Sequence, residues 1–280
     1  MYLVTGATGN VGSEVVEGLL AAGEKIRVFT RDASKVARWN GKVEVAVGDF
    51  GDAEQFRSAV QGVRGLFLMN GALDQAVFTR LLETAKAAGI RRVVFLSSMT
   101  AATPELVIGR LHKEKEDALA ASGLEAVILR PGGFMSNVFQ WLGSIQSEGT
   151  IYNPTGTGKS APIAPEDIAV VAVKALRSPN GDSQILNLTG GEMLNVPEQA
   201  QILSRVLGRE LRTVDVPIEA AVRGMVSSGV PEHLALAVSK AFELTRDGKG
   251  TVITDTVAKV TGASPTTFEA WARKHAARFA

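Results

Sequence analysis

Cysteine is absent from the 280 residues, and two other reactive side chains are scarce: the tyrosines are Tyr2 and Tyr152, and the histidines are His112, His233 and His275. Without thiols the chain has no disulfide framework, no thiolate nucleophile, no iron–sulfur cluster and no cysteine-ligated zinc, which suits a reducing compartment. A zinc site of histidine and carboxylate would need clustered ligands. The three histidines are far apart and none sits in a His-Glu-x-x-His arrangement, so no metal is expected. No Gly-x-Ser-x-Gly elbow occurs either, which leaves a serine hydrolase without a placed nucleophile.

Charge of one sign is lacking too. Thirty Lys and Arg balance 29 Asp and Glu, and the basic residues are scattered, so nucleic acid is not an expected partner. No apolar run approaches the roughly 18 residues needed to span a bilayer. The sequence starts Met1-Tyr2-Leu3-Val4-Thr5-Gly6, a strand with no room for a charged segment and apolar core of a signal peptide. The expectation is a soluble cytoplasmic protein with no membrane partner.

What the chain does contain is an alternation. Short apolar runs at Tyr2–Val4, Lys25–Phe29, Val43–Val47, Gly65–Met69, Arg92–Leu96 and Ala126–Leu129 read as strands. Helix-like stretches lie between them near 10–22, 33–38, 53–60, 74–88 and 112–121. The fold class expected is α/β, a doubly wound parallel sheet with helices on both faces. Beyond residue 135 the rhythm breaks. Tyr152 to Ser160 is Gly/Thr/Pro-rich and reads as a loop, Pro165-Glu166-Asp167 opens a helix, Gln184–Leu188 reads as a strand, and mostly helical sequence follows. Residues 1–135 with about 161–190 are thus expected to form the main domain, and 136–160 with 191–280 a smaller, mostly helical lobe that binds substrate.

The sharpest motif joins the first strand to the first helix: Gly6-Ala7-Thr8-Gly9-Asn10-Val11-Gly12. Gly6 permits the tight turn, Gly9 lets backbone approach a pyrophosphate, and Gly12 allows helix and strand to pack closely, while amides at the helix start face the anion. This is a dinucleotide loop. At the end of the second strand, where an NAD-selective site usually holds an acid, stands Thr30-Arg31-Asp32-Ala33-Ser34-Lys35. Arg31 can pair with a 2′-phosphate, with Thr30, Ser34 or Lys35 assisting, so NADP(H) is expected in preference to NAD(H). The alternative is that Arg31 and Lys35 are solvated charges opening a surface helix. Gly156-Thr157-Gly158-Lys159-Ser160 echoes the end of a phosphate-binding Walker loop, but Asn153 stands where its first glycine belongs, and a loop near the pocket is the better reading.

With these motifs the sequence resembles the NmrA-like group of atypical short-chain dehydrogenase/reductases. The resemblance spans the chain and rests on Thr5 to Gly12, Arg31, Gly48-Asp49-Phe50, Phe95-Leu96-Ser97-Ser98, His112 with Glu116, Leu129 to Asn137, Asp167-Ile168-Ala169 and Leu188-Thr189-Gly190-Gly191. It implies a Rossmann fold with Asp49 and Phe50 near the adenine, and Leu68, Met69 and Asn70 beside the adenosine half. Ser97, Ser98 and Met99 would adjoin the nicotinamide, and Pro131, Gly132 and Phe134 its far side. Members of the group include flavin-independent quinone and azo-dye reductases, triphenylmethane reductases, plant phenylpropanoid and isoflavone reductases, and non-catalytic NADP-binding regulators.

Most short-chain dehydrogenases protonate the developing alkoxide with tyrosine from a Tyr-x-x-x-Lys helix. Gly6 follows Tyr2 by four residues and Gly156 follows Tyr152 by four, so neither tyrosine belongs to that motif. Counted back from the Ser122-Gly123 helix end, the group's lysine position falls on His112 and its tyrosine position on Ile108. His112 becomes the catalytic candidate, as a proton donor or as a hydrogen-bonding partner of the ribose or substrate; the plain alternative is an ordinary histidine near a helix start. Hydride addition to an isolated ketone needs a matched acid, whereas a quinone, azo compound or extended enone spreads the charge over a π-system. The expected partner is a planar, conjugated small molecule. Met135, Asn137 and Trp141, with Phe134 and Phe139, would line its pocket if they face inward, or else form an apolar hinge. The expected function is an NADPH-dependent, flavin-independent oxidoreductase; the alternative is a redox-sensing regulator that binds NADP(H) without turnover.

Overall fold

The computed structural model describes residues 1–69, 74–179, 183–249 and 252–279. Its chain alternates β1 (Tyr2–Thr5), α1 (Asn10–Ala21), β2 (Ile26–Thr30), β3 (Glu44–Val47), α2 (Ala53–Ala59), β4 (Gly65–Met69), α3 (Gln75–Ala87), β5 (Arg92–Leu96), α4 (Val107–Ala121) and β6 (Glu125–Pro131). After α5 (Leu142–Glu148) and β7 (Thr150–Asn153), α6 (Pro165–Arg177) and β8 (Gln184–Leu188) return to the main sheet. The rest comprises α7 (Val196–Leu207), β9 (Arg212–Asp215), α8 (Ile218–Ser227), α9 (Glu232–Arg246), α10 (Thr256–Thr261) and α11 (Phe268–Lys274).

Seven parallel strands form one sheet in the order β3-β2-β1-β4-β5-β6-β8. Strand side chains alternate between faces, and both faces are covered, so the middles of the central strands are apolar on both sides. Leu3, Leu66, Leu68, Val93 and Phe95 pack against α2 and α3. Val4, Val28, Phe67, Val94 and Leu129 pack with α1 and α6 on the other side. Gly18 brings those two helices together, since a Cβ there would lie 3.0 Å from Val173. Strand order reverses between β1 and β4, which opens the crevice where such folds bind ligands.

A third apolar cluster, including Met135, Val138, Leu203, Phe268 and Trp271, packs the segment after β6 against α7 and α11. Asp167 anchors it to α6: Thr266 donates from its amide and hydroxyl to the Asp167 carboxylate, each at 2.8 Å. Burial pushes that carboxyl upward. Among the described residues, no helix is long and apolar enough to cross a membrane.

Three local features differ from the sequence expectation. Residues 33–39 form a tight 3-10 turn, opened by Asp32 and anchored by the buried Trp39, whose Nε1 donates to Glu17 at 2.6 Å. Helix α4 begins at Val107 rather than near 112. The missing Cβ of Gly109 lets the first turn sit against Thr100 and Thr103, whose carbonyl oxygens would lie 2.3 and 2.2 Å from a Cβ. Finally, β7 and β9 pair in parallel as a separate two-stranded sheet, with Thr150 opposite Arg212.

Candidate functional site

The glycine loop sits where β1 ends. Thr5 stitches that end to β4, donating from Oγ1 to the Phe67 carbonyl and accepting from the Met69 amide, both at 3.0 Å. Gly6 then turns with φ +64°, a left-handed conformation that favours glycine. The Gly9 amide closes the loop on the Gly6 carbonyl at 2.9 Å, and α1 starts at Asn10 with no side chain capping its first turn. A Cβ on Gly12 would lie 2.2 Å from the Gly6 oxygen, so only glycine allows this approach. Val11 is buried in the core and can offer an anion only its backbone, while Thr8 and Asn10 are exposed. The Asn10 amide also donates to Ser136 Oγ at 3.2 Å, tying the loop to the segment that follows β6.

At the end of β2 the acid and the base part company. Asp32 turns back on its own loop, accepting from the amide and hydroxyl of Ser34 at 2.9 and 2.6 Å, and these bonds hold its carboxyl below the usual range. Thr30 Oγ1 bonds to the Asp32 backbone. Arg31 and Lys35 are exposed, and no ion pair engages either among the described residues. Asp49 Oδ1 accepts from the Gly51 amide at 2.8 Å, and Phe50 packs 5.2 Å from Phe29.

Leu68 departs from the expectation for a nucleotide contact: its side chain is fully buried in the core, so only backbone at this strand end can face a ligand. Met69 folds its thioether over Gly6. Asn70 lies outside the described residues.

Ser97, Ser98 and Met99 follow β5, while Pro131 ends β6 and Gly132 to Phe134 follow it, so the parallel pairing of these strands brings the two segments side by side. Ser98 opens a 3-10 turn by accepting from Thr100. Ser98, Met99, Pro131, Gly132 and Phe134 line a cavity of about 1250 Å³. Asn137 and Trp141 line it as well, but Met135 does not: it is buried in the third apolar cluster with Val138, three residues on and so on the same side of the tight turn over 135–141.

The cavity has walls the sequence did not reveal. Helices α8 and α9 cover it, contributing Ala220, Gly224, Met225, Phe242 and Thr245. Gly158 seats the end of α9, since a Cβ there would lie 2.2 Å from the Thr245 oxygen, and Arg246 donates to the Pro154 carbonyl at 2.5 Å. Tyr152 lines the cavity from β7, its hydroxyl donating to Glu148 at 2.8 Å, a bond that raises the phenol's pKa. A lone tyrosine opening a glycine-rich loop carries no signal of this placement.

Ile108 borders the cavity from the first turn of α4, and His112 lies one turn further along, half-buried and not among the lining residues. Its Nδ1 is 3.5 Å from Ser97 Oγ. Burial, partly offset by Glu116, lowers the imidazole pKa, so the ring is neutral near pH 7. Glu116, also buried, receives the Ser97 hydroxyl at 2.5 Å and both Nε and Nη2 of Arg130. Lys113 is an outward residue paired with Asp117. His233 is exposed at the start of α9. His275 is half-buried: Nε2 meets Glu166 at 2.8 Å and the ring lies 4.7 Å from Trp271.

Comparison with known proteins agrees with this architecture. Residues 6–179 match a family model described as NAD(P)H-binding. An NAD(P)H azoreductase of Xenophilus azovorans is 36% identical, covering 100% of this chain and 99% of its own. The chain belongs to the NAD(P)H-binding family of atypical short-chain dehydrogenase/reductases. A (4-alkanoyl-5-oxo-2,5-dihydrofuran-3-yl)methyl phosphate reductase of Streptomyces griseus is 35% identical to this reductase over 100% of the chain and 99% of its own. The Escherichia coli quinone oxidoreductase QOR2, solved with NADPH, superposes with a TM-score of 0.86 at 25% identity, covering 99% of each chain.

This reductase is an oxidoreductase that uses NAD(P)H, and its residues fit the cofactor. The Gly6–Gly9–Gly12 cradle would be filled by a Cβ at Gly12, and the uncapped start of α1 offers backbone amides to a pyrophosphate. The cofactor supplies a hydride from its nicotinamide ring. The glycine loop would hold its pyrophosphate, and α8 and α9 wall the cavity beside the ends of β5 and β6.

Proposed function

We propose that the reductase passes hydride from NADPH, without a flavin, to a planar conjugated acceptor such as a quinone, azo dye or enone that is neutral or anionic. The observation that carries this reading is Ile108, which borders the cavity where a tyrosine would otherwise donate a proton. An isolated ketone would become a strongly basic alkoxide with no matched acid beside it. Tyr152 does not replace that acid, because its proton is engaged by Glu148. A conjugated acceptor delocalises the charge and takes its proton from water. The azoreductase and quinone oxidoreductase relatives support the same class of acceptor.

Assay of NADPH oxidation against quinones, azo dyes, enones and isolated ketones tests the reading. Turnover is expected with the conjugated acceptors and at least about a hundredfold lower kcat/KM with isolated ketones, the size of a missing general acid. Faster turnover of isolated ketones, or a requirement for added flavin, overturns it. Tight NADPH binding with no oxidation across the panel identifies a sensor instead.

The cofactor preference rests on Arg31, exposed and unengaged by a carboxylate, while Asp32 is occupied by Ser34. Arg31→Ala is expected to weaken NADPH binding about 10- to 100-fold, the worth of a charged hydrogen bond to phosphate, and to leave NADH binding unchanged. Equal loss for both cofactors would remove the 2′-phosphate assignment.

Charge on the acceptor follows from the walls. Among the described lining residues Lys249 alone is charged, and no carboxylate lines the cavity. Cationic acceptors are therefore expected to show higher KM than neutral or anionic ones of equal ring size. Lys249→Glu should narrow that gap by about two- to fivefold, a modest effect because Lys249 is exposed and shares Asp247. A preference for cationic acceptors in the wild type would contradict it.

A further inference from the structure

The first turn of α7 leaves one polar group unused. Asn195 accepts from the Glu198 amide at 2.8 Å, and the Glu198 carboxylate accepts in return from the Asn195 amide at 2.8 Å and from Lys159 at 2.6 Å. Gln199 gives its backbone amide to the Asn195 carbonyl at 3.1 Å, but its side chain has no hydrogen-bond partner among the described residues. The residue is only 8% exposed, and it lines the cavity. The sealed polar atoms without partners lie elsewhere, on Gln75, Glu166 and Trp271, so the open end of the Gln199 amide is the cavity. Thr155, the other buried polar side chain described on the cavity wall, is already bonded to Asn153 at 2.9 Å. Beside Gln199 the wall is hydrocarbon: Val138, Leu194 and Val196 line the cavity and belong to or pack against the third apolar cluster.

A buried amide without a partner costs stability, and an apolar side chain of similar shape avoids that cost. A ligand that supplies the missing partner accounts for glutamine at this position. We propose that Gln199 is a specificity-determining residue, whose amide holds a neutral hydrogen-bonding group, a carboxamide or a hydroxyl, on the end of the acceptor remote from its reducible bond. The amide offers one accepting oxygen and two N–H donors, which matches a group that both donates and accepts. It brings no charge to offset that of a carboxylate. Helix α7 packs on α11, β7 and β9, whereas Ser98 and Pro131 stand at the ends of β5 and β6. An acceptor lying along the cavity therefore turns its reducible bond to those strand ends and its far end to α7. The nature of the acceptor rests on the proposed function; the unpartnered amide does not.

The test compares wild type with Gln199→Leu and Gln199→Met, which keep the bulk of the side chain and remove its amide. The probes are two azobenzenes, each sulfonated at one end and bearing at the other either a carboxamide or an isopropyl group of equal heavy-atom count. Dissociation constants are measured on full-length protein saturated with NADP+, which has no hydride to give, so binding is read apart from turnover. The wild type is expected to favour the carboxamide dye, and the ratio of the two constants should fall about tenfold in both variants, the worth of one hydrogen bond to a neutral group. Any difference between the dyes themselves cancels in that comparison of ratios. Ligand-free variants are expected to melt at or above the wild-type midpoint, and to bind NADPH within about twofold of it, since the lost amide served neither the core nor the cofactor. A dye ratio unchanged by substitution overturns the inference. So does a midpoint lowered by several degrees in both variants, which would make the amide a structural group, or a tenfold loss of NADPH affinity, which would assign it to the cofactor. A lost carboxamide preference in a protein that oxidises no dye or quinone leaves the inference standing and removes the proposed function. Brisk turnover with an unchanged dye ratio does the reverse.

Discussion

Alanine at Gly12 is expected to abolish cofactor binding and to destabilise the fold together, whereas aspartate at Gly9 should abolish binding alone. The difference lies in what each new Cβ meets. At position 12 it would lie 2.2 Å from the Gly6 oxygen, 2.6 Å from the Gly6 carbon and 3.0 Å from the Ala7 nitrogen. All three are backbone atoms of a loop closed by its own hydrogen bond, so no flexible side chain can move aside. Helix α1 must back away from the loop, which costs about 1–3 kcal/mol as overpacking and lowers the thermal midpoint by several degrees. It also displaces the first-turn amides by a large fraction of a hydrogen-bond length, and a loss of about a hundredfold or more in NADPH affinity follows, since each 1.4 kcal/mol is tenfold. At position 9 a Cβ has only the Gly6 oxygen nearby, at 3.3 Å, and φ is −92°, which any residue adopts. Gly9→Asp should therefore fold with a midpoint near that of the wild type while its carboxylate repels the pyrophosphate. Calorimetry paired with NADPH titration checks both variants. Binding retained by Gly12→Ala, or a collapse in stability of Gly9→Asp with affinity intact, would show that the loop is not the pyrophosphate cradle.

That loop was legible in the sequence because its meaning is local: three glycines at fixed spacing between a strand and a helix say where backbone must approach closely. The central strands were legible for a similar reason, since burial on both faces demands continuous apolar runs such as Val93-Val94-Phe95-Leu96. The site was legible only where a residue's position along a strand end decides its place, as for Ser98 and Pro131. Where direction decides, the sequence was silent. Leu68 and Met69 are neighbours, yet the first is buried in the core and the second covers Gly6. Met135 and Asn137 sit two apart in a tight turn, and one packs inward while the other lines the cavity. The β7–β9 pairing joins segments about sixty residues apart whose short polar strands carry no alternation strong enough to announce themselves. Helix α4 began early because the cost of Gly109 in a helix is outweighed by contact with a turn that no local pattern shows.

Loss of Arg130 is expected to be the most damaging single change outside the glycine loop. Its guanidinium, with only 13% of the side chain exposed, is paired in two places with Glu116, which is 3% exposed. The pair holds Arg130 above its ordinary pKa, chiefly through the hydrogen bonds to Glu116. Arg130→Met keeps most of the apolar stem but leaves a buried carboxylate with the Ser97 hydroxyl as its remaining partner among these contacts. Breaking one side of such a pair costs about 3–5 kcal/mol, which for a chain of this size lowers the midpoint on the order of 10 °C. The carboxylate is the source of the cost, so Arg130→Met combined with Glu116→Leu should recover most of the loss. Activity should not follow stability in that rescue. Without Glu116 the Ser97 hydroxyl is released at the end of β5, and the double variant is expected to fold well yet bind NADPH less tightly than the wild type. Thermal melts and NADPH titrations of the two single variants and the double variant separate the two effects. Additive losses in stability would show that Arg130 and Glu116 do not act as a buried pair, and full recovery of cofactor affinity in the double variant would show that the pair serves the fold alone.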